Sequence, residues 1–428
     1  MNLVRNRYPM LLIAALVLAT IFAGSVSAAK KVVTYWSWSP VKNTTDKMVA
    51  AFEAENPDIT IKATIYNYPD FLLALKTAAA SNSLPDLIGL EPGAMTQEYR
   101  DYLVPLQDAA VEIWGEDWQD LFFPIGLEQA RLGNRAGDEN FYMLPMELQT
   151  TNLWYNRQLF DKLGIEAPTT WDELKDVAAA LKKAGIAPLV QGGGDGWQNI
   201  DVYMMIAQQT APGVIYKAED GEAAFNDPGL VQATRIWKEL FTEGIVQPGA
   251  LGMSVYPNAA SLFNAGRGGM ISLGSWHMQT AKSDPPVELS KGMLGVGAFL
   301  FPDVTGDGKP TNPLGGIDFG IGMTKSGEGR PEVVKVLNSF ISGSGIQAAI
   351  DDFNDLPAVK GIEPNTFTTD HEKELWALFT EDWLPKVTAR QLKTPEVRQG
   401  LMDALAAVAA GQKTPEKAMD DLQKAVGK

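Results

Sequence analysis

The chain has 428 residues, 45% of them hydrophobic and 21% charged, with a formal net charge of −16; this is a globular composition with length for two or three ordinary domains. So acidic a surface repels nucleic acid and anionic membrane, both of which reward Lys and Arg patches. The sequence has no cysteine, which excludes disulfides, thiolate metal sites and cysteine nucleophiles.

The first element is a targeting segment. Arg5 and Arg7 precede an apolar run over residues 10–23, and small residues follow at Val26, Ser27, Ala28 and Ala29. That order predicts a secretory signal peptide, residues 1–28, cleaved after Ala28 or one residue later. The apolar run is shorter than the roughly 20 residues of a membrane span, and no other segment reads as long and apolar enough to cross. With no cysteine at the cleavage site to carry a lipid, the exported protein is expected to be periplasmic and to diffuse freely, with no lipid anchor. Without disulfides its core alone must hold it.

The mature chain opens as strand and helix in alternation. KVVTYW (31–36) is rich in β-branched and aromatic residues and predicts a buried strand. Thr44 or Thr45 can cap a helix running to Glu55, with Met48, Val49 and Phe52 on one face. ITIKATIY (59–66) alternates as a strand, a helix covers about 69–80, and DLIGL (86–90) is a third strand. Such an order implies a parallel sheet covered by helices, with ligands beyond the carboxyl ends of the strands. Trp36 and Trp38 stand after the first of these, Asn67 and Tyr68 after the second, and Glu91 after the third.

A second α/β region follows. NLWYN (152–156) reads as a strand and RQLFDKLG as a short helix closed by Gly164. In APTTWDEL, Thr170 and Glu173 have capping-box spacing, and Leu174, Val177, Ala178 and Leu181 share one face. IAPLVQGGGDGW gives a short strand and a glycine-rich loop that ends at Trp197. After a helix at 230–244, GGMISLGSW is a buried strand that delivers Ser275 and Trp276 at its end. GIDFGIGMTK (316–325) is strand-like, Pro331 opens a helix to Ile341, and the tail is helical over 396–410 and again after Thr414 and Pro415. No flexible linker separates the two regions, as expected of lobes joined by strands and able to hinge.

The run YNRQLFDKLGIEAPTTWDEL (155–174) resembles the extracellular solute-binding proteins of ABC importers, in particular the large carbohydrate-binding family that includes maltose-binding protein. Tyr155, Asn156, Leu159, Phe160, Gly164, Pro168, Thr170, Trp171 and Leu174 fit its pattern. LPDLIGLEPG (84–93), LFNAGRGGMISLGSW (262–276) and GGIDFGIGMTKSGEGRPEVVKVLNSFIS (315–342) fit as well, in the same order. The resemblance implies a two-lobed α/β fold with the ligand cleft between lobes joined by hinge crossovers. One lobe would hold residues 30–126 with 319–358, and the other 127–318 with 359–428.

It also implies a site. The loop after the first strand lines the cleft in relatives, pointing to Trp36 or Trp38, with Trp38 favoured. The end of the third strand points to Glu91. Gln149 stands seven residues before the Asn of YN, where relatives often have an acid that faces sugar. Trp276 matches a sugar-stacking position. Arg398 stands near the place where relatives carry a stacking tryptophan, a departure from the maltodextrin-type pattern. Trp197, Asp318 and Asn354, beside the glycine loop and near the last crossovers, complete the candidate set. An indole offers a flat face to the C–H side of a sugar ring, and amides and carboxylates serve its hydroxyls.

The expectation is therefore a monomeric receptor for a neutral mono- or oligosaccharide, passing it to an ABC permease, with no cofactor, metal or catalysis. A binder of a polyamine or polyol phosphate is the nearer alternative; an anionic ligand would want Arg or Lys at strand ends, and none stands there clearly. A secreted glycosidase would need two carboxylates about 5–10 Å apart. His277 reads as a bystander beside Trp276, and His371 as an exposed helix start. DVTGDGK (303–309) hints at a calcium loop, but Leu314 occupies its twelfth position, so a polar turn is expected.

Overall fold

A computed structural model describes residues 30–282 and 295–427; the expected signal segment, residues 1–28, lies outside them. Strand β1 (Lys31–Ser37) buries Val33, Tyr35 and Ser37 on one face and pairs in parallel with β2 (Ile59–Ile65) and β3 (Leu87–Leu90). The helices Lys42–Glu55 and Tyr68–Ala80 connect them. The first begins two residues before the expected threonine cap. Thr44 and Thr45 lie inside it, buried, and spend their hydroxyls on Asp352 Oδ2 (2.8 Å) and the Pro40 carbonyl (2.9 Å).

The NLWYN strand extends far upstream. β4 (Leu144–Asn156) has thirteen residues, all buried but Tyr155. It runs antiparallel to β8 (Leu314–Met323), β6 (Gly268–Gly274) and β7 (Val296–Phe299). β8 also pairs antiparallel with β3, and β6 pairs in parallel with β5 (Ala187–Val190). The strand order is β2-β1-β3-β8-β4-β6-β5. Two short strands, β9 (Leu356–Pro357) and β10 (Thr388–Ala389), join β4 and β8.

Two apolar cores lie along this sheet. The first gathers Tyr35, Met48, Phe52, Phe71, Leu90, Ile317, Phe319, Leu337 and Phe340. The second gathers Phe160, Leu174, Leu181, Tyr203, Trp237, Leu401 and Leu405. Strand β4 sends Leu148 into the first and Leu153 into the second; β8 does the same with Ile317 and Leu314. These paired strands, with β9 alongside, therefore carry the chain from one core to the other.

Local signals place the helices of the second core. Thr170 accepts from the Glu173 N–H while the Glu173 side chain accepts from the Thr170 N–H, a complete capping box. Trp171, next in line, is half-buried against the second core. The helices Trp197–Thr210, Pro228–Thr242, Pro395–Ala409 and Pro415–Val426 pack together there.

Two expectations change. The continuous helical stretch 331–351 is long and apolar enough to cross a membrane by length and composition. It consists of two helices that meet at Gly343, and its Val336, Leu337, Phe340, Ile341, Ile346 and Ile350 fill the first core. His371 opens a helix as expected but is half-buried, with Nε2 2.9 Å from the Val296 carbonyl. In the DVTGDGK turn the Asp303 carboxylate accepts from the N–H groups of Thr305, Gly306 and Gly308 at 2.7–3.0 Å. The loop amides thus point at a negative charge, which is the polarity of a polar turn.

Candidate ligand-binding cleft

Trp197 is the first residue of its helix, released from strand β5 by the loop Gly192–Gly196. Gly192 and Gly193 are held by amides from the next turn: Gly192 N–H donates to Gln198 Oε1 (2.6 Å), and Asn199 Nδ2 donates to the Gly193 carbonyl (3.0 Å). Asp201 lies four residues on, hence on the same helix face as Trp197. Trp276 arrives from the end of β6 and folds back over Gly274, where an added Cβ would lie 2.0 Å from its ring. Its Nε1 donates to the Tyr256 hydroxyl at 2.9 Å. The two indoles stand edge to face, centroids 6.2 Å apart at 61°.

Between them sits Arg390. It follows β10, which pairs in parallel with β8 so that the Arg390 N–H reaches the Gly315 carbonyl at 3.3 Å. Its guanidinium lies 5.8 Å from the Trp197 ring centroid and 5.4 Å from that of Trp276, within cation–π range. It grips Asp201 through two hydrogen bonds and stands 3.8 Å from Asp318. Gln149, fully buried on β4, is oriented by its neighbours with the amide oxygen toward Arg390 Nη1 (2.5 Å) and the amide nitrogen toward Thr151 Oγ1 (3.1 Å).

The opposite wall comes from the first core. Glu91 follows β3, and its Oε2 accepts from the Tyr68 hydroxyl (2.6 Å) and stands 3.1 Å from Arg398 Nη2. Trp38 packs edge-on against Tyr68 at 5.4 Å and against Phe319 at 5.7 Å. A small pocket is lined by Trp197, Ile200, Asp201, Arg390, Leu392 and Arg398, with Gln391.

Three further carboxyls stand nearby: Glu147 on β4 and Asp355 just before β9 are fully buried, and Asp318 on β8 is 16% exposed. Burial pushes Asp318 up to about 7, with the Glu91 and Asp201 charges adding to it and Arg390 opposing. Burial likewise holds Glu147 and Asp355 well above the carboxylate range, and each is raised further by Asp318. Asp355 accepts from the Ser275 hydroxyl, and Glu147 accepts from Asn354 Nδ2 at 2.5 Å.

The candidates therefore fall in four places. Trp197, Trp276, Gln149 and Asp318 surround Arg390. Glu91 and Trp38 line the facing wall. Trp36 packs on Tyr66 at 5.6 Å on the first core, and Asn354, 2% exposed, sits among the buried hinge groups with Glu147 and Gln279. His277 is buried edge-on against Trp154 and Phe263, and burial lowers its pKa to about 4. Sequence reasoning missed Arg390, Asp201 and Tyr256. The i, i+4 spacing of Trp197 and Asp201 was a usable signal; nothing in VTARQL marks Arg390. Its absence from the expectations is a correction, since cationic groups do stand at the cleft, at Arg390 and Arg398, each already facing a carboxylate.

The family model of the bacterial extracellular solute-binding proteins matches residues 36–345. The multiple sugar-binding protein of Streptococcus mutans is 25% identical over 332 residues, 74% of this chain and 73% of its own length. The sn-glycerol-3-phosphate-binding periplasmic protein UgpB of Escherichia coli is 23% identical over 88% of this chain and 86% of its own. Among solved structures, a chitin oligosaccharide binding protein superposes with a TM-score of 0.76, at 26% identity, over 93% of this chain and 98% of that one.

Proposed function

The chain belongs to the family of bacterial extracellular solute-binding proteins, and on that premise we propose that it captures a neutral sugar, a mono- or oligosaccharide, and delivers it to the permease of an ABC transporter. Members of this family are substrate-binding receptors of ABC transporters rather than enzymes. The observation that carries the sugar reading is the pair of indoles, Trp197 and Trp276, 6.2 Å apart beside Arg390, Asp201, Asp318 and Gln149. Flat apolar faces beside a few fixed donors and acceptors are what a sugar ring needs.

Within this reading the lobes are residues 30–126 with 319–358 and 127–318 with 359–428, and the ligand-contacting residues are Trp38, Glu91, Gln149, Trp197, Trp276 and Asp318. Trp36 and Asn354 act behind them, packing the wall and the hinge. Ligand binding shifts the population from open to closed forms about β4, β8 and β9, with no covalent step. The protein works as a monomer in the periplasm, after removal of residues 1–28 and without a lipid anchor.

One relative favours a second reading, since UgpB is named for glycerol phosphate. Against it, each cleft guanidinium already faces a carboxylate: Arg390 bonds Asp201, and Arg398 stands 3.1 Å from Glu91. A phosphate would have to displace one of those acids and enter beside Asp318. A thermal-shift screen of mono- and oligosaccharides, polyamines and sn-glycerol 3-phosphate, followed by calorimetry, tests this. A sugar hit supports the proposal, and a glycerol phosphate or polyamine hit replaces it. Incubating the hit with protein and looking for cleavage products separates a receptor from a glycosidase.

A further inference from the structure

Arg398 belongs to the helix Pro395–Ala409, whose Val397, Leu401 and Leu405 are rooted in the second core. Its guanidinium reaches the other core. Nη2 lies 3.1 Å from the Tyr68 hydroxyl and 3.1 Å from Glu91 Oε2, and the same Tyr68 hydroxyl donates to that Glu91 oxygen at 2.6 Å. Three polar groups from three elements thus close a triangle, and one carboxylate oxygen faces both donors. The Arg398 and Glu91 side chains are 18% and 9% exposed, so solvent and salt screen the pair far less than an open surface pair.

The backbone closes the same edge. The Ala94 N–H, just after Glu91, donates to the Leu392 carbonyl at 3.1 Å. Gly93 makes this approach feasible: its φ is +76°, and a Cβ there would lie 2.3 Å from the Leu392 oxygen. Trp38 packs against the near side of Tyr68, and Trp197, Arg390 and Arg398 line one pocket. The pocket beside Trp197 and Arg390 is therefore bordered, at Leu392 and Arg398, by contacts from core to core.

We propose that Arg398, Glu91 and Tyr68 form a clasp that ends the cleft and restricts this receptor to short saccharides. The proposal rests on the sugar reading and names the size class of the ligand. A longer chain of rings passing this edge would have to part the clasp and leave Arg398 and Glu91 facing neutral groups while sheltered from water, a penalty that offsets the contacts of each added ring.

The test uses the full mature chain, with Arg398→Ala and Arg398→Lys, and two probe series: N-acetylglucosamine with its β-1,4-linked dimer to pentamer, and glucose with maltose to maltopentaose. In calorimetry the unsubstituted protein is expected to gain less than about twofold in affinity beyond two rings, while Arg398→Ala gains about fivefold or more for three to five rings. The clasp is overturned by affinity that climbs with every ring in the unsubstituted protein, by superimposable length profiles in both proteins, or by loss of short-sugar binding in Arg398→Ala with no gain for longer chains. Binding of neither series counts against the sugar reading instead. The clasp is then judged by X-ray scattering of the unliganded proteins. A larger radius of gyration for Arg398→Ala, returned toward the original by Arg398→Lys, supports it, and an unchanged radius overturns it.

Discussion

Arg390 and Asp201 are joined by two hydrogen bonds, Nε to Oδ1 at 2.7 Å and Nη2 to Oδ2 at 3.1 Å, with side chains 8% and 3% exposed. The pair is a buried fork, and it sits between two indoles. Removing one partner leaves the other charged in a sheltered site. Arg390→Ala is therefore expected to cost about 3–5 kcal/mol in a urea unfolding titration. Asp201→Asn, which keeps one acceptor for the guanidinium, should cost less. The double variant should be less destabilised than the two single losses added together, because the stranded charge is gone. Additive losses would mean that the fork is not one unit.

Trp276 has two separable contributions to test. Its face is proposed to carry the ligand, while its Nε1 holds the Tyr256 hydroxyl. Trp276→Ala should lower affinity for the screening hit by about tenfold, the loss of an aromatic contact worth roughly 0.5–1.5 kcal/mol beyond buried area. Trp276→Phe keeps a ring but drops the donor, so it should lose less affinity and should match Tyr256→Phe. Calorimetry reads both. Unchanged affinity in Trp276→Ala would remove this indole from the site.

The proposed site tests what a sequence can carry. Thr170 and Glu173 advertise a helix start because both halves of a capping box are local, and the box is present. Likewise the end of MISLGSW is visible: an apolar run, a glycine and an indole place Trp276 just after β6. Arg390 is invisible for the opposite reason. The strand just before it, β10, has two residues, too few for any period, and its position is set by β8, over seventy residues earlier. The front half of β4 hid as well. LPMELQT carries Pro145, Glu147 and Gln149 among apolar residues, yet all are buried. Apolar alternation marks a half-buried strand, whereas this one is covered on both faces and spends its polar groups on partners across the hinge.

Asp318 makes stability depend on pH in a defined direction. Its folded pKa is raised to about 7 by burial and by the Glu91 and Asp201 charges, against Arg390, with Glu147 and Asp355 also close by. Between about pH 4, where an unfolded aspartate releases its proton, and pH 7, the folded state binds the extra proton. The contribution is therefore fully present below pH 4 and is lost as pH rises to 7, by at most about 1.4 kcal/mol per unit for one proton. Asp318→Asn should remove it. The stability of the unsubstituted protein minus that of Asp318→Asn should fall across this window and level off above it. A flat difference would show that Asp318 is ionised throughout.

Gly274 is the last residue of β6, opposite Thr151 of β4, and the chain turns there so that Trp276 lies back across it. A Cβ at this position would stand 2.0 Å from Trp276 Cζ3 and 2.6 Å from the Thr150 carbonyl. Backbone cannot yield as a flexible side chain does, so Gly274→Ala must move the indole, the strand or both. If the strand is held, as its pairing and full burial require, the indole swings away from Trp197 and Arg390. The expected result is a drop in ligand affinity approaching that of Trp276→Ala, together with about 1–3 kcal/mol of lost stability from overpacking. Tryptophan fluorescence should report the displaced ring in the unliganded protein. In Trp276→Ala, where the obstructing ring is absent, adding Gly274→Ala should cost less stability than it does alone. An equal cost in both backgrounds would mean that the carbonyl of Thr150, and not the indole, is what requires glycine here.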